Sequence, residues 1–350
     1  MSDSISKILV LVPNWLGDVA MCTPALRALH RRFPEAAIAV AGKQAACDLL
    51  EGAPWLAARI PVEPKAGFFG MMRAGRRLRP YARDLTVIFP HSFRAALLAR
   101  LTESPRRIAY DRGGRAFLLT ERIQPPRENG VITPVYMVTE YLDLIKGLGC
   151  EDDGLGLELR ADPAAIEAVR SHFKGDGLRV GIAPGAAFGP SKLWPVERFA
   201  RVADILAEDM QAQCALLTGP GEEAIRDAFL KAVKVPVAQC DEGRPTISTL
   251  KATVSQLDLL ICNDSGTRHV AVAFHVPTVC IMGPTSPRYS EGSYERGRVL
   301  RVDVDCGPCQ KPECETDHRC MTCISVELVA ETASGLLRDV MARRNQGLGS

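Results

Sequence analysis

The chain has 350 residues, 47% of them hydrophobic and 24% charged, with a formal net charge of +2. These values exclude a disordered or low-complexity chain, and the length suits two α/β domains of about 150–180 residues better than one oversized core. No apolar run approaches the ~18 residues of a membrane span, and neither 1–6 nor 7–12 has the form of an export signal, so a soluble, cytoplasmic protein is expected.

Residues 8–12 are a short continuous apolar run and read as a buried strand. The turn PNWLGD (13–18) follows, and 20–33 shows helical spacing with Ala25, Leu26 and Leu29 on one face. Further strands are predicted over 38–41 and 85–89. In the turn, Gly17 permits an unusual backbone angle. Asp18 stands where a strand-end carboxylate would act as a general base on a hydroxyl, or cap the helix that follows. GxGxxG is absent, so this is no dinucleotide fingerprint.

A helix over 162–174 ends in KGDG (174–177), a plausible hinge that places the domain boundary near 175. A second alternating series then begins, with strands predicted over 178–183, 214–217, 257–262 and 278–282 and helices over 196–210 and 222–232. Alternation in both halves argues for βαβ units and parallel sheets. A final helix is predicted over 325–343. The loop PGAAFGPSKLWP (184–195) carries Lys192, either a fixed cation for a leaving diphosphate or an exposed loop lysine. In TGPGEE (218–223), Glu222 or Glu223 would accept from ribose hydroxyls, or only complement the helix dipole. NDSGTRH (263–269) follows the next strand. Its Asp264, Ser265 and Gly266 turn aims backbone N–H groups and a helix N-terminus at a phosphate, with His269 beside them.

Charge is distributed unevenly. Residues 1–150 carry 21 Lys and Arg against 13 Asp and Glu, the remainder 22 against 28. Between Arg59 and Arg127, 15 basic residues face five acidic ones, which suits an anionic partner (nucleic acid, phosphorylated glycolipid or membrane surface) or a solvated basic face. Of twelve cysteines, seven (Cys22, Cys47, Cys150, Cys214, Cys240, Cys262, Cys280) lie among apolar neighbours and read as small buried side chains. The other five, Cys306, Cys309, Cys314, Cys320 and Cys323, with His318 among them, have spacing that fits zinc or an iron–sulfur cluster, or free thiols in a loop. Asp303-Val-Asp305 matches a DxD pattern, but 302–306 reads as plain strand alternation.

PNWLGD with its helix ending RFPE (32–35), HSFRAA (91–96), GGRAFLLT (113–120), PGAAFGPSKLWP, NDSGTRHVAVA and GPTSP (283–287) together resemble the ADP-heptose:lipopolysaccharide heptosyltransferases, glycosyltransferase family 9, most nearly the type II enzymes. The resemblance spans nearly the whole chain. It implies an α/β GT-B architecture of two Rossmann-like parallel-sheet domains facing a central cleft: 1–174 for the acceptor, 175–324 for the nucleotide sugar, and a helix in 325–350 packing back toward the N-terminal domain. It implies inverting, metal-independent transfer of heptose from ADP-L-glycero-D-manno-heptose to the lipopolysaccharide inner core, with no cofactor required. Asp18 would be the base, and Lys192, Asp264, Ser265, Gly266 and His269 would hold the donor diphosphate. Glu222 or Glu223 would hold the ribose, and Asn14, Trp15, Arg94 and Arg115 the acceptor. The implied partners are an ADP-sugar, a lipid A–core glycolipid meeting the basic stretch, and the cytoplasmic face of the inner membrane, touched peripherally by a monomer that binds no nucleic acid. His91 departs from the family's pattern, which has Asn there. The alternatives are another nucleotide sugar, or a non-catalytic anionic-glycolipid-binding protein with a cysteine-bound metal.

Overall fold

A computed structural model describes residues 5–63 and 67–346. The ends of the assigned domain ranges (1–4 and 347–350) and Lys65 of the basic stretch lie outside the described residues. The chain divides into two compact units, 1–160 and 161–350.

In the first unit, strands β1 (Lys7–Leu11), β2 (Ala37–Gly42), β3 (Ala58–Pro61), β4 (Leu85–Ile88), β5 (Arg106–Tyr110) and β6 (Glu121–Ile123) form one parallel sheet in the order β3-β2-β1-β4-β5-β6. β1 and β4 are the central pair, and their residues, apolar apart from Lys7 and Thr86, are buried after Lys7 as a sheet covered on both faces requires. A short hairpin, β7 (Arg127–Glu128) with β8 (Val131–Ile132), follows. The helices are α1 (Leu16–Met21), α2 (Thr23–Arg32), α3 (Gln44–Leu49), α4 (Phe68–Leu78), α5 (Phe93–Leu101) and α6 (Met137–Lys146).

The helix expected over 20–33 is two helices, starting earlier and breaking at Cys22. Pro24 has no N–H to give the Ala20 carbonyl, and the Thr23 hydroxyl donates to that oxygen instead at 2.7 Å. The apolar period begins at Ala20, so the first turn of α1, which contains Asp18, carries no periodic signal.

The second unit repeats the plan. β9 (Arg179–Ala183), β10 (Gln213–Leu216), β11 (Val237–Ala238), β12 (Leu259–Asn263), β13 (Thr278–Ile281) and β14 (Gly297–Leu300) form a parallel sheet ordered β11-β10-β9-β12-β13-β14. Its helices are α7 (Pro163–Arg170), α8 (Val196–Met210), α9 (Glu223–Ala232), α10 (Ile247–Val254), α11 (Gly266–Ala273), α12 (Arg319–Thr322) and α13 (Val326–Asn345). The division falls at Arg160, ahead of the hinge assigned near 175, because α7 packs on α10 and joins the second unit. α13, expected to pack toward the N-terminal domain, buries Val329, Ala333 and Leu337 in the second unit's own core beside Phe199 and Val202 of α8. The strand read into 302–306 is not formed: β14 ends at Leu300, opposite Ile281, where its partner β13 also ends. All seven scattered cysteines are buried, as expected.

In both units the order of strands reverses between the first and fourth strands of the sheet. Loops leaving the carboxyl ends of such a pair diverge, and open α/β sheets bind ligands there.

Candidate active site

In the second unit that pair is β9 and β12. The loop after β9 carries Lys192, and the turn after β12 carries Asp264 and Ser265. Asn263, fully buried at the end of β12, fastens the two together: its Nδ2 donates to Pro184 O at 2.7 Å, and Trp194 N donates to its Oδ1 at 3.1 Å. Trp194 is itself buried and donates Nε1–H to Ile324 O at 3.0 Å. Lys192 Nζ therefore reaches Asp264 Oδ2 at 2.5 Å and Asp264 O at 3.0 Å.

Asp264 receives further donors. Thr285 Oγ1 lies 2.7 Å from its Oδ2, and Arg268 Nη1 lies 3.2 Å from its Oδ1. Burial alone would raise the Asp264 carboxyl, but the Lys192 ammonium and the Arg268 guanidinium outweigh it and hold it at about 2. Arg268 is completely buried and forks onto Glu295 at 2.8 and 2.6 Å, with Thr278 Oγ1 on the same carboxylate at 2.6 Å. The result is a chain of charges, Lys192–Asp264–Arg268–Glu295, at the start of α11. Asp264, expected on the diphosphate, has its carboxylate oxygens met by Lys192, Arg268 and Thr285. Ser265 is the N-cap of α11, and its hydroxyl is buried without a hydrogen-bond partner among the described residues. An orphaned donor at a helix N-terminus is where an anion binds.

His269 lies one turn into α11 and is 5% exposed. Burial and then the neighbouring Arg268 cation push its imidazole down to about 4, so it is neutral near pH 7. A folded-state pKa below the unfolded value of about 6.5 contributes stability that is full above about 6.5 and is lost as pH falls through about 4. Wild type is expected to lose about 2 kcal/mol more unfolding free energy than His269→Gln between pH 7 and pH 5, measured by urea denaturation. Equal losses would remove His269 as the cause.

The Glu222 and Glu223 alternatives separate by geometry. Glu222 is half-buried, accepts from Gly219 N at 2.7 Å and packs on Gly185 so closely that a Cβ there would lie 2.1 Å from its carboxylate oxygens. Gly185, two residues past the end of β9, leaves the room this carboxylate occupies. Glu223 is exposed and accepts from Gly221 N at 3.3 Å.

In the first unit, Asp18 is inside the first turn of α1, with Trp15 in the capping position, so the cap alternative is not the one built. Burial pushes the Cys22 thiol and the Tyr141 hydroxyl up, and the Asp18 carboxylate pushes both further, which places its charge beside them. Asn14 and Arg94 line one groove of about 80 Å³ with Lys43 and Ser92, between the end of β1 and helices α4 and α5. Trp15 is 56% exposed. Arg115 does not join them. Its side chain is buried and its guanidinium is taken up by backbone carbonyls: Tyr110 O at 3.0 Å, Pro90 O at 2.5 Å and Ser92 O at 3.2 Å. It shapes the loop after β4, with four of its five N–H donors given to these carbonyls. Burial lowers it to about 10, with Arg112 adding to the shift.

Three groups were missed in the sequence. Arg268 stands four residues after Asp264 on a helix, a spacing that signals an ion pair. Glu295, its partner, lies in a loop with no motif around it. In the first unit, Glu140 of α6 is buried and lies 2.5 Å from His91 Nε2 and 3.2 Å from Arg112 Nη2, so His91 follows β4 as one member of a cluster of three polar side chains.

Two Rossmann-like parallel sheets of this order define the GT-B class of glycosyltransferase. The pattern of glycosyltransferase family 9 (heptosyltransferase) matches residues 71–319, and the chain belongs to that family. It is 27% identical over 341 residues to a Campylobacter jejuni lipooligosaccharide heptosyltransferase 2, covering 95% of this chain and 99% of that one. It is 26% identical over 346 residues to the Escherichia coli K12 lipopolysaccharide heptosyltransferase 2, covering 95% and 98%. Among solved structures, a family 9 glycosyltransferase from Veillonella parvula superposes with a TM-score of 0.81 at 23% identity, covering 96% and 99%. The E. coli ADP-heptose heptosyltransferase II superposes at 0.78 and 24%, covering 95% and 99%. The protein is a transferase of the heptosyltransferase family, and no helix among its described residues is long and apolar enough to cross a membrane.

Proposed function

We propose that the protein transfers heptose from ADP-L-glycero-D-manno-heptose to the inner core of lipopolysaccharide, inverting the anomeric centre without a catalytic metal. The observation that carries this reading is the Lys192 ammonium fixed by Asp264 at the N-terminus of α11. There the helix dipole, the Ser265 hydroxyl and the Gly266 amide supply the positive field that a departing diphosphate needs, and His269 lies behind them. Glu222, close to the backbone at the end of β9, receives the ribose hydroxyls. The donor belongs to the second unit and the acceptor to the first.

The chemistry is one displacement. Asp18 accepts the proton of the acceptor hydroxyl, whose oxygen attacks the anomeric carbon from the face opposite the diphosphate. The bond to the diphosphate oxygen breaks, and ADP departs with the electron pair onto Lys192 and α11. Asn14 and Arg94 orient the acceptor in their groove, with Trp15 at its edge. The membrane-facing side of the first unit is inferred from α4 and neighbouring α5. Phe68 (61% exposed), Phe69 (83%), Phe93 (45%) and Phe117 (70%) stand in solvent near exposed Arg73, Arg76 and Arg77, a combination that suits an anionic lipid surface. Peripheral contact with the inner membrane by a cytoplasmic monomer is part of the same reading.

The test is a panel of nucleotide sugars, with release of nucleoside diphosphate measured with and without a heptose-bearing core acceptor. ADP-heptose should turn over only with acceptor, and a brief exposure to EDTA should leave the rate unchanged. Equal turnover of a UDP- or GDP-sugar would reassign the donor. Immediate loss of activity in EDTA would overturn the metal-independent step.

A further inference from the structure

Residues 301–318 contain neither helix nor strand, and none from 305 to 319 is buried. Such a stretch has no core of its own to offset the roughly 1–2 kcal/mol per residue that ordering a backbone costs. It is nevertheless fitted closely to the donor-side loops. Ser191 N donates to Pro312 O at 3.0 Å, Ser191 Oγ donates to Lys311 O at 2.6 Å, and Gln310 N donates to Pro284 O at 2.9 Å. His318 Nε2 lies 2.7 Å from Ser191 O. Gly189 approaches so near that a Cβ would lie 2.4 Å from Pro312 O.

The side chains around this contact are soft metal ligands. Cys306, Cys309, Cys314 and Cys320 line one cavity of about 230 Å³, together with Ser191 and His318. Cys306 Sγ and Cys314 Sγ approach the same Thr316 hydroxyl, at 3.9 and 3.5 Å. Cys323 is not among the lining residues. Gln310, directly after the CxxC pair, and His318 both have left-handed backbones, φ 57° and 59°. Non-glycine residues hold that conformation at a cost, and it concentrates where a function fixes the chain.

We infer that Cys306, Cys309, Cys314 and Cys320 bind one thiophilic metal ion, zinc by preference, which fastens the irregular segment and, through Ser191, sets the position of Lys192. Four thiolates complete a tetrahedral structural site, and zinc imposes no geometry of its own. Among the described residues no three His, Cys, Asp or Glu side chains already converge on one point, so the site closes by turning the four sulfurs inward across the cavity they share. Metal ligation then supplies the cross-link that burial does not. The consequence for Lys192 rests on its proposed role in donor binding, whereas the metal site itself does not.

Full-length protein purified under reducing conditions without chelator is expected to contain about one equivalent of zinc or iron by elemental analysis. Cys323→Ser should retain it. The double variant Cys306→Ser/Cys309→Ser should lose it and bind ADP about tenfold or more weakly by calorimetry. As a control for misfolding of that variant, wild type stripped by prolonged dialysis against a strong chelator should lose the same ADP affinity and regain it when zinc is returned. Less than about a tenth of an equivalent of either metal in wild type would overturn the site. Full metal content in the double variant would do the same, and so would an ADP affinity indifferent to stripping overturn the link to Lys192. Elemental content is read without turnover, so a metal-free but active enzyme sinks this inference alone. A metal-loaded protein that transfers no heptose sinks the functional reading alone.

Discussion

Asp18→Asn is expected to lower kcat by about 10²–10⁴-fold, the span that general-base catalysis contributes. The amide keeps the size and the place in the first turn of α1, so the thermal midpoint and the affinities for ADP and acceptor should stay near wild type. A neutral side chain beside Tyr141 should also let that hydroxyl fall toward its ordinary range, since the Asp18 charge is among the causes that raise it. Transfer retained at more than about a tenth of the wild-type rate, with acceptor binding intact, would remove Asp18 as the base.

The second large effect is expected at Lys192. Lys192→Ala removes one fixed cation from the departing diphosphate and should lower kcat by about 10²–10³-fold, as loss of one preorganised donor to developing charge does. It also leaves Asp264 buried with Arg268 and Thr285 but without its nearest cation. The carboxyl would then titrate higher, and the acid side of the stability profile would move up in pH. Single-turnover rates separate the two consequences. A variant that binds ADP-heptose weakly but reacts at the wild-type rate when saturated would show that Lys192 serves binding only.

The contrast between these residues and Arg115 shows what a sequence carries. Strong local patterns were readable: α8 forms over Val196–Met210, the bounds predicted for it, because its apolar stripe is regular from end to end. The central strands β1, β4, β9 and β12 were also readable, each being largely apolar and buried. The edge strands β11 and β14 are short and half-buried, and nothing in their composition separates them from loop. Candidate site residues were read where a strand ends in a glycine turn, which pointed to Asp18, Lys192 and the Glu222/Glu223 pair. What those side chains touch was not readable. Arg115 looked like an anion ligand, yet its guanidinium closes on carbonyls brought together by the folding of 90–92 and 110. Asp264 looked like a phosphate contact, yet the loop 72 residues before it in the chain brings Lys192 onto its carboxylate. Both depend on contacts distant in sequence, and local pattern has no access to those.

The pairing of β9 with β12 sets Ala183 opposite Cys262, so the Lys192 loop and the Asp264 turn start from adjacent strands. Strand spacing in a sheet is about 4.8 Å whatever the side chains. The sheet therefore acts as a gauge block, and the loops as jaws mounted on it. An exposed position at a jaw tip, such as Ala187, can change its side chain while the spacing between the two loops stays at the same setting. On the function proposed above, a lineage built on this plan can vary its loop tips without losing its hold on the nucleotide.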